Sequence, residues 1–174
     1  MKQQSESFDL VVFDHHADLL LPRFEGLLSC GSWIRQAFED YENMNQVILI
    51  GVSDELSHYG KEEYGQRLTI FSESDIKNED WLQSFASLLN RPLYLSIDKD
   101  VFSKKELITD WDQGTMTLNQ FSCALDKIHQ KVPVLAVDIC GEYNSISGGA
   151  FQVEETDRMN SRFNGRILEL LKNR

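Results

Sequence analysis

The sequence predicts an α/β protein, a three-layer α/β/α sandwich built on a mainly parallel sheet. Short apolar runs rich in β-branched residues alternate with segments whose apolar residues recur every three or four positions. Strands that alternate with helices form parallel sheets with helices on both faces. The chain has 174 residues, 41% of them hydrophobic, which is enough for one domain with a real core. A single domain over residues 1–174 is therefore expected.

Five apolar runs are predicted as strands. The first, 8–13, is apolar from Leu10 to its end, and the second, 46–51, is apolar on both faces like a central parallel strand. The other three are shorter or less regular but contain the same residue types, and they are 67–71, 93–97 and 132–137.

Four segments between and after these runs are predicted as helices. Residues 32–41 carry an apolar face that includes Trp33 and Phe38, and residues 78–89 begin with an acidic first turn. Residues 117–129 start at Thr117, a good capping residue. The last segment, about 154–172, aligns its apolar residues in one stripe, namely Met159, Phe163, Ile167 and Leu171.

Composition limits the partners and the location. With 17 basic and 28 acidic side chains the net charge is −11, which disfavours nucleic acid and anionic membrane surfaces as partners. Cys30, Cys123 and Cys140 show no paired-ligand spacing, as is usual in a reducing compartment. The N-terminus has no apolar signal core, and no apolar run is long enough for a membrane helix. A cytoplasmic protein is expected.

Two acidic strings follow the first and fourth predicted strands. Residues two apart in extended chain point the same way, so Asp14, His16 and Asp18 can converge, as can Asp98 and Asp100. Parallel sheets place their sites at the carboxyl ends of strands. If the two strands are neighbours, four aspartates and one histidine share one pocket.

Divalent cations are the simplest explanation for such a pocket, because the empty carboxylates would repel one another. Oxygen and imidazole ligands together suit Mn²⁺ or Fe²⁺, with Zn²⁺ also open, and Ca²⁺ sites rarely contain histidine. Either string alone could be structural, with aspartates that cap helices or bind backbone amides. The repetition at a second strand end favours metal binding.

The two strings resemble those of the ureohydrolase (arginase/agmatinase) superfamily, whose fold is related to that of the metal-dependent, histone-type deacetylases. Its Asp-x-His-x-Asp string is matched by residues 14–18, and its Ser-x-Asp-x-Asp string by residues 96–100. Residues 51–54 are similar to its Gly-Leu-Arg-Asp stretch. Residues 138–144 resemble its Asp-x-x-Glu-x-Asn segment with one residue inserted, and residues 114–118 resemble its Gly-Leu-Thr helix start.

The resemblance implies a hydrolase with one or two Mn²⁺ ions that cleaves a linear C–N bond of a guanidino or amidino group through a metal-bound hydroxide. Asp14 and Asp98 would bridge two ions and serve catalysis, His16 and Asp100 would complete one ion site, and Asp18 would belong to the other. Two further residues would hold a small cationic substrate: Glu142, which also serves catalysis, would grip its guanidinium group, and Asp54 its amino end. Assembly of identical chains is left open.

The departures from the family pattern imply a divergent member. The remaining histidine ligand of the family follows an upstream strand, whereas this chain starts seven residues before its first predicted strand. The chain is therefore expected to lack the family's first strand, either as a fragment of a longer protein or with an incomplete second metal site. Residues 27–33 contain no proton-shuttling histidine, and 101–103 replace the usual third aspartate and proline.

Two other functions remain open from the sequence. In the first, Asp14, His16 and Asp98 hold a single Zn²⁺ ion in a deacetylase-like amidohydrolase. In the second, the chain is a catalytically inactive scaffold that a metal ion stabilises.

Overall fold

The computed structural model describes residues 6–22, 27–78, 80–143 and 150–172. The described strands are β1 Phe8–Phe13, β2 Met44–Val52, β3 Leu68–Ser72, β4 Leu93–Asp98 and β5 Val134–Cys140. They form one sheet in the order β3-β2-β1-β4-β5, and all neighbouring strands in it are parallel. The predicted α/β class with a parallel sheet is confirmed.

Helices connect the strands and include each of the four that the sequence predicts. Two further helices, α2 and α3, are single turns, too short to show a helical period in the sequence. The second of them starts with a capping box in which Ser72 Oγ accepts from the backbone N–H of Asp75. The helices are α1 Trp33–Asp40, α2 Lys61–Tyr64, α3 Glu73–Ile76, α4 Trp81–Leu88, α5 Leu118–Lys131 and α6 Ala150–Lys172.

The sheet has a buried apolar cluster on each face. On one face Val11 and Phe13 of β1 pack with residues of α4, α5 and α6. On the other face Leu10 and Val12 pack with residues of α1. All six residues of β1 are buried, because this strand lies in the middle of the sheet. The acidic string that follows β1 therefore starts at the centre of the sheet's carboxyl edge.

The last strand is placed further along the chain than predicted. Val132 donates its N–H to the carbonyl of Ile128 and so ends α5, and Pro133 follows without an N–H of its own. The strand instead runs from Val134 to Cys140, and its last residue pairs in register with Asp98. The shift brings residues 138–140 beside the second acidic string.

Strand β5 is an edge strand, and its apolar side chains are only partly covered. Leu135, Val137 and Ile139 are 41%, 39% and 37% exposed, whereas their neighbours Leu95 and Ile97 on β4 are fully buried. Among the helices in the described ranges, none is both long and apolar enough to span a membrane.

Candidate metal centre

The two acidic strings meet at one edge of the sheet because β1 and β4 are neighbours. Phe13 pairs in register with Ile97, so the residues that follow them lie side by side. Asp14, His16 and Asp100 offer ligand atoms that lie within 4.8 Å of one another. A cavity of about 220 Å³ opens over them, and five of its lining residues are those that the sequence singles out, namely Asp14, His16, Asp18, Asp98 and Asp100.

Local hydrogen bonds fix the carboxylates of the second string. Asp98 Oδ1 accepts from the backbone N–H of Asp100 at 3.0 Å and so starts a single helical turn over Lys99–Val101. That turn, rather than strand alternation, brings Asp100 to the same side as Asp98. Asp98 Oδ2 also accepts from Cys140 Sγ at 3.2 Å. The late end of β5 thus supplies a contact to a candidate ligand.

The first string is tied to the second through Asp100. Its Oδ1 accepts from the backbone N–H of His15 at 3.1 Å, and its Oδ2 lies 3.0 Å from Nδ1 of His16. Asp14 Oδ1 accepts from the backbone N–H of His16 at 2.6 Å. These bonds hold both strings in one arrangement.

Asp18 is held in an uncommon backbone conformation. Its φ is 50°, in the left-handed region that residues other than glycine rarely adopt, although aspartate tolerates it better than most. Its Oδ2 accepts from Nε1 of Trp33 at 2.7 Å, and its backbone carbonyl accepts from the N–H of Ile34. Helix α1 thus positions this carboxylate, and such conformations concentrate at functional sites.

Burial and mutual repulsion shape the electrostatics of the cavity. Burial raises the pKa of Asp14 well above its usual range, and it raises the pKa of Asp18 to about 6. Burial, with the charge of Asp100, also raises the pKa of Asp98. Hydrogen bonds to Asp100 and then Asp14 raise the pKa of His16 to about 10, so in the metal-free chain the imidazolium offsets part of the negative charge.

The donor set fits a divalent metal ion. The grouped atoms are two carboxylate oxygens and one imidazole nitrogen, and two of the three residues are buried. Such mixed ligands suit Mn²⁺, Fe²⁺ or Zn²⁺. An ion would also supply the positive charge that these carboxylates require, and would take the place of the proton on His16.

The two residues expected to bind substrate lie elsewhere. Both carboxylate oxygens of Asp54 accept from Ser74, from its N–H at 3.1 Å and its Oγ at 2.6 Å. The carboxylate of Glu142 accepts from Nζ of Lys99. Neither acid is among the described residues that line the cavity. Their roles in substrate binding stay predictions.

The structure adds residues that the sequence did not single out as part of a site. Trp33 bonds Asp18, and the cavity walls include Leu20, Leu56, Tyr59 and Trp111. The sequence could have indicated Trp111 as a site residue, because it is the single aromatic residue in the otherwise polar segment 109–113. The leucines carry none, since single apolar residues in loops are common.

The fold is that of the Arginase family. The sequence model of that family matches residues 1–143, and the chain therefore belongs to it. None of the curated proteins compared matches the chain.

Solved structures of family enzymes share the fold at low sequence identity. A hypothetical agmatinase from Burkholderia thailandensis has a TM-score of 0.71 at 16% identity, over 99% of this chain and 53% of its own. Formimidoylglutamase from Bacillus subtilis has a TM-score of 0.72 at 16% identity, over 98% of this chain and 55% of its own. Trypanosoma cruzi formiminoglutamase, solved with Mn²⁺, has a TM-score of 0.67 at 11% identity, over 90% of this chain and 55% of its own. This chain spans about half the length of these proteins.

Proposed function

We propose that the chain is a metal-dependent hydrolase of the ureohydrolase type, which cleaves a linear C–N bond of a guanidino or amidino group. The observation that carries this proposal is the convergence of Asp14, His16 and Asp100, whose ligand atoms lie within 4.8 Å at the tips of adjacent strands in an Arginase family fold.

The metal we propose is Mn²⁺, as one or two ions, with Zn²⁺ and Fe²⁺ as alternatives. Mn²⁺ is present in the similar formiminoglutamase of Trypanosoma cruzi. When bound, the ion supplies Lewis acidity that activates water and stabilises developing negative charge. The residues proposed to hold it are Asp14, His16, Asp18, Asp98 and Asp100.

The cavity's own residues favour a small substrate with a cationic head. A volume of about 220 Å³ is below the roughly 300–1,000 Å³ of clefts that hold drug-sized ligands. With one Mn²⁺ bound, four ionised aspartates keep a net negative charge, which favours a guanidinium or amidinium group. In the proposed reaction the oxygen of water bonds to the central carbon, the C–N bond breaks, and the nitrogen leaves with a proton from water.

The setting proposed for this activity is the cytoplasm, because the three cysteines are free thiols. A net charge of −11 opposes nucleic acid and anionic membranes as partners.

A single-zinc, deacetylase-like amidohydrolase is the second candidate. The favouring observation is that the compact group contains three ligand residues, the number typical of a one-metal catalytic zinc site. The sequence analysis suggested Asp98 as the third ligand of such a zinc ion, together with Asp14 and His16. In the structure the residue grouped with those two is Asp100. The third candidate is a catalytically inactive scaffold that a metal ion stabilises.

The decisive experiment measures the metal content and the turnover of the purified chain. Asp14→Asn is expected to weaken Mn²⁺ binding at least about 100-fold in calorimetric titrations, because it removes a charged ligand from the centre of the group. Asp157→Asn is the matched control, because this exposed residue of α6 is not among the residues that line the cavity, and the change should leave binding unchanged.

The outcomes separate the three candidates. Bound manganese together with hydrolysis of guanidino or amidino compounds supports the proposal, and one tightly held zinc with hydrolysis of acylamino compounds supports the deacetylase-like enzyme. Metal binding that raises the melting temperature without any turnover indicates the scaffold. Unchanged Mn²⁺ affinity in Asp14→Asn would refute the site itself.

A further inference from the structure

The walls of the cavity differ sharply from its floor. The floor carries the four aspartates and His16, whereas the walls include Leu20, Leu56, Tyr59 and Trp111. Three of these wall residues are large and unusually exposed, with Leu20 at 52%, Tyr59 at 38% and Trp111 at 56%. They come from three separate loops, so their convergence reflects the fold and not one apolar stretch of sequence. Exposed apolar groups that cluster around polar ones are typical of ligand sites.

Trp111 is held in place rather than loosely placed at the surface. Its backbone N–H donates to Thr109 Oγ1, and the N–H of Thr109 donates to the side-chain oxygen of Gln113. Nε2 of Gln113 in turn donates to the carbonyls of Phe102 and Leu107, each at 3.1 Å. These bonds order the loop that carries Trp111, while the residue itself stays 56% exposed. A ligand that binds beside the indole therefore does not have to order the loop as well.

The indole also lies at a useful distance from the candidate ligands. The ring centroids of Trp111 and His16 are 6.3 Å apart, with the planes at 74°. A molecule whose polar head reaches the floor of the cavity therefore has its next few atoms beside Trp111. Tyr59 and Leu56 lie in one turn, where the N–H of Tyr59 donates to the carbonyl of Leu56, and they line the same cavity.

We infer that the substrate carries a flat apolar group, such as an aryl ring, which the wall residues Leu20, Leu56, Tyr59 and Trp111 hold while its guanidino or amidino carbon lies at the metal centre. This inference rests on the proposed function, because the metal centre is where that carbon would react. Among the residues that the structure describes, no lysine or arginine lines the cavity, so these wall residues offer a substrate carboxylate no charged partner. The expected substrates are aryl-substituted guanidines or amidines rather than acidic amino acids.

The test uses three hydroxamates with the same metal-binding head and different tails. The Mn²⁺-loaded chain is titrated by calorimetry with acetohydroxamate, phenylacetohydroxamate and succinomonohydroxamate. Phenylacetohydroxamate is expected to bind at least about tenfold more tightly than acetohydroxamate, from burial of the ring. Trp111→Ala should remove most of this preference, so that phenylacetohydroxamate and acetohydroxamate bind with similar affinity. Leu168→Ala, which replaces an exposed leucine of α6, should keep the preference.

Each result has a definite meaning. Equal affinity for the three compounds, tighter binding of the acidic one, or a ring preference that survives in Trp111→Ala would overturn the inference while leaving the metal centre intact. Mn²⁺ binding without binding of any hydroxamate would overturn it as well. Failure of Mn²⁺ to bind, measured before any hydroxamate is added, would instead refute the proposed function, and the inference would fall with it.

Discussion

Lys99 stands between two candidate ligands but faces away from their cavity. It is fully buried, whereas Asp98 and Asp100 line the cavity. Its Nζ donates to the carboxylate of Glu142 and, at 3.1 Å, to Oδ1 of Asn164 on α6. One residue thus links the tip of β4, the segment after β5 and the last helix. In this structure Glu142 is the counter-ion of a buried lysine.

This pairing predicts an asymmetric effect on stability. Glu142→Ala leaves the buried ammonium without its counter-charge and is expected to cost about 3 kcal/mol in free energy of unfolding. Lys99→Met should cost less, about 1 kcal/mol, because the side chain of Glu142 is 68% exposed and stays hydrated without the lysine. Urea unfolding followed by circular dichroism measures both values.

The control for this pair is Glu142→Gln, which keeps an acceptor for Nζ and should fall between the two variants. If Lys99→Met proves the more damaging change, Glu142 does not act as a structural counter-ion. The predicted contact of Glu142 with a substrate guanidinium would then explain the role of this residue better.

At the scale of elements, the end of β5 is built closely around a candidate ligand. Gly141 follows the strand with φ at 81°, and a Cβ placed on it would lie 2.3 Å from Oδ1 of Asp98. The chain can pass the carboxylate only because this residue has no side chain. Cys140, just before it, donates to the other oxygen of Asp98. The strand end therefore fixes both sides of that carboxylate.

Gly141→Ala is expected to weaken Mn²⁺ binding by 10- to 100-fold, about the loss seen when residues that orient metal ligands are changed. The matched control is Gly65→Ala. Gly65 also has a positive φ, 52°, but a Cβ there would meet nothing within 4 Å. Both variants place a side chain at a positive φ, which strains the backbone whatever space surrounds it. Calorimetric titration should show loss of Mn²⁺ affinity for Gly141→Ala alone, and equal losses would mean that strain, not contact with Asp98, is responsible.

The sequence predicts the positions of the central strands, although the observed β2, Met44–Val52, extends beyond the predicted 46–51 at both ends. Strand β1 was predicted with its observed limits, because every residue of it is apolar or lies between apolar neighbours. The sequence predicts that the last strand begins at Val132, because β-branched residues are common in strands. In the structure Val132 instead ends α5, and β5 begins two residues later. Single-turn helices such as α3 are set by tertiary contacts and capping, which leave little periodicity.

The sequence predicts the acidic residues at the ends of β1 and β4 as the candidate site. Asp14 and Asp98 line one cavity because these two strands are neighbours, and the sequence alone could not establish that they are. The walls could not be predicted, because Leu56 and Trp111 lie in loops whose paths depend on side-chain hydrogen bonds such as those of Gln113. The pairing of Lys99 with Glu142 also joins residues 43 positions apart and needs coordinates.

At the scale of the whole molecule, strand β5 forms one edge of the described sheet and is only partly covered. The apolar side chains of β5 are roughly 40% exposed, and its outer backbone groups are free to pair among the described strands. Edge strands of this kind are templates for pairing with another chain. Two copies could join their β5 strands about a twofold axis and form one continuous sheet.

We therefore expect the chain to associate with itself, and Val137→Lys to weaken that association at least about tenfold, because a charge on an edge strand opposes pairing. Sedimentation velocity over a range of concentrations measures the dissociation constant. Asn119→Lys adds the same charge on the exposed side of α5 and should have no effect. A chain that stays monomeric at all concentrations, or an equal response to both changes, would contradict this expectation.

The placement of the indoles has a practical consequence. Of the three tryptophans, Trp33 donates to Asp18 and Trp111 stands edge-on to His16, while Trp81 packs in the core against Phe71 and Phe85. Fluorescence of an indole depends on the charges and polarity around it. Arrival of a cation at the carboxylates is therefore expected to alter the light emitted by two of these rings. The chain carries its own optical reporter, and no attached dye is needed to follow loading in real time.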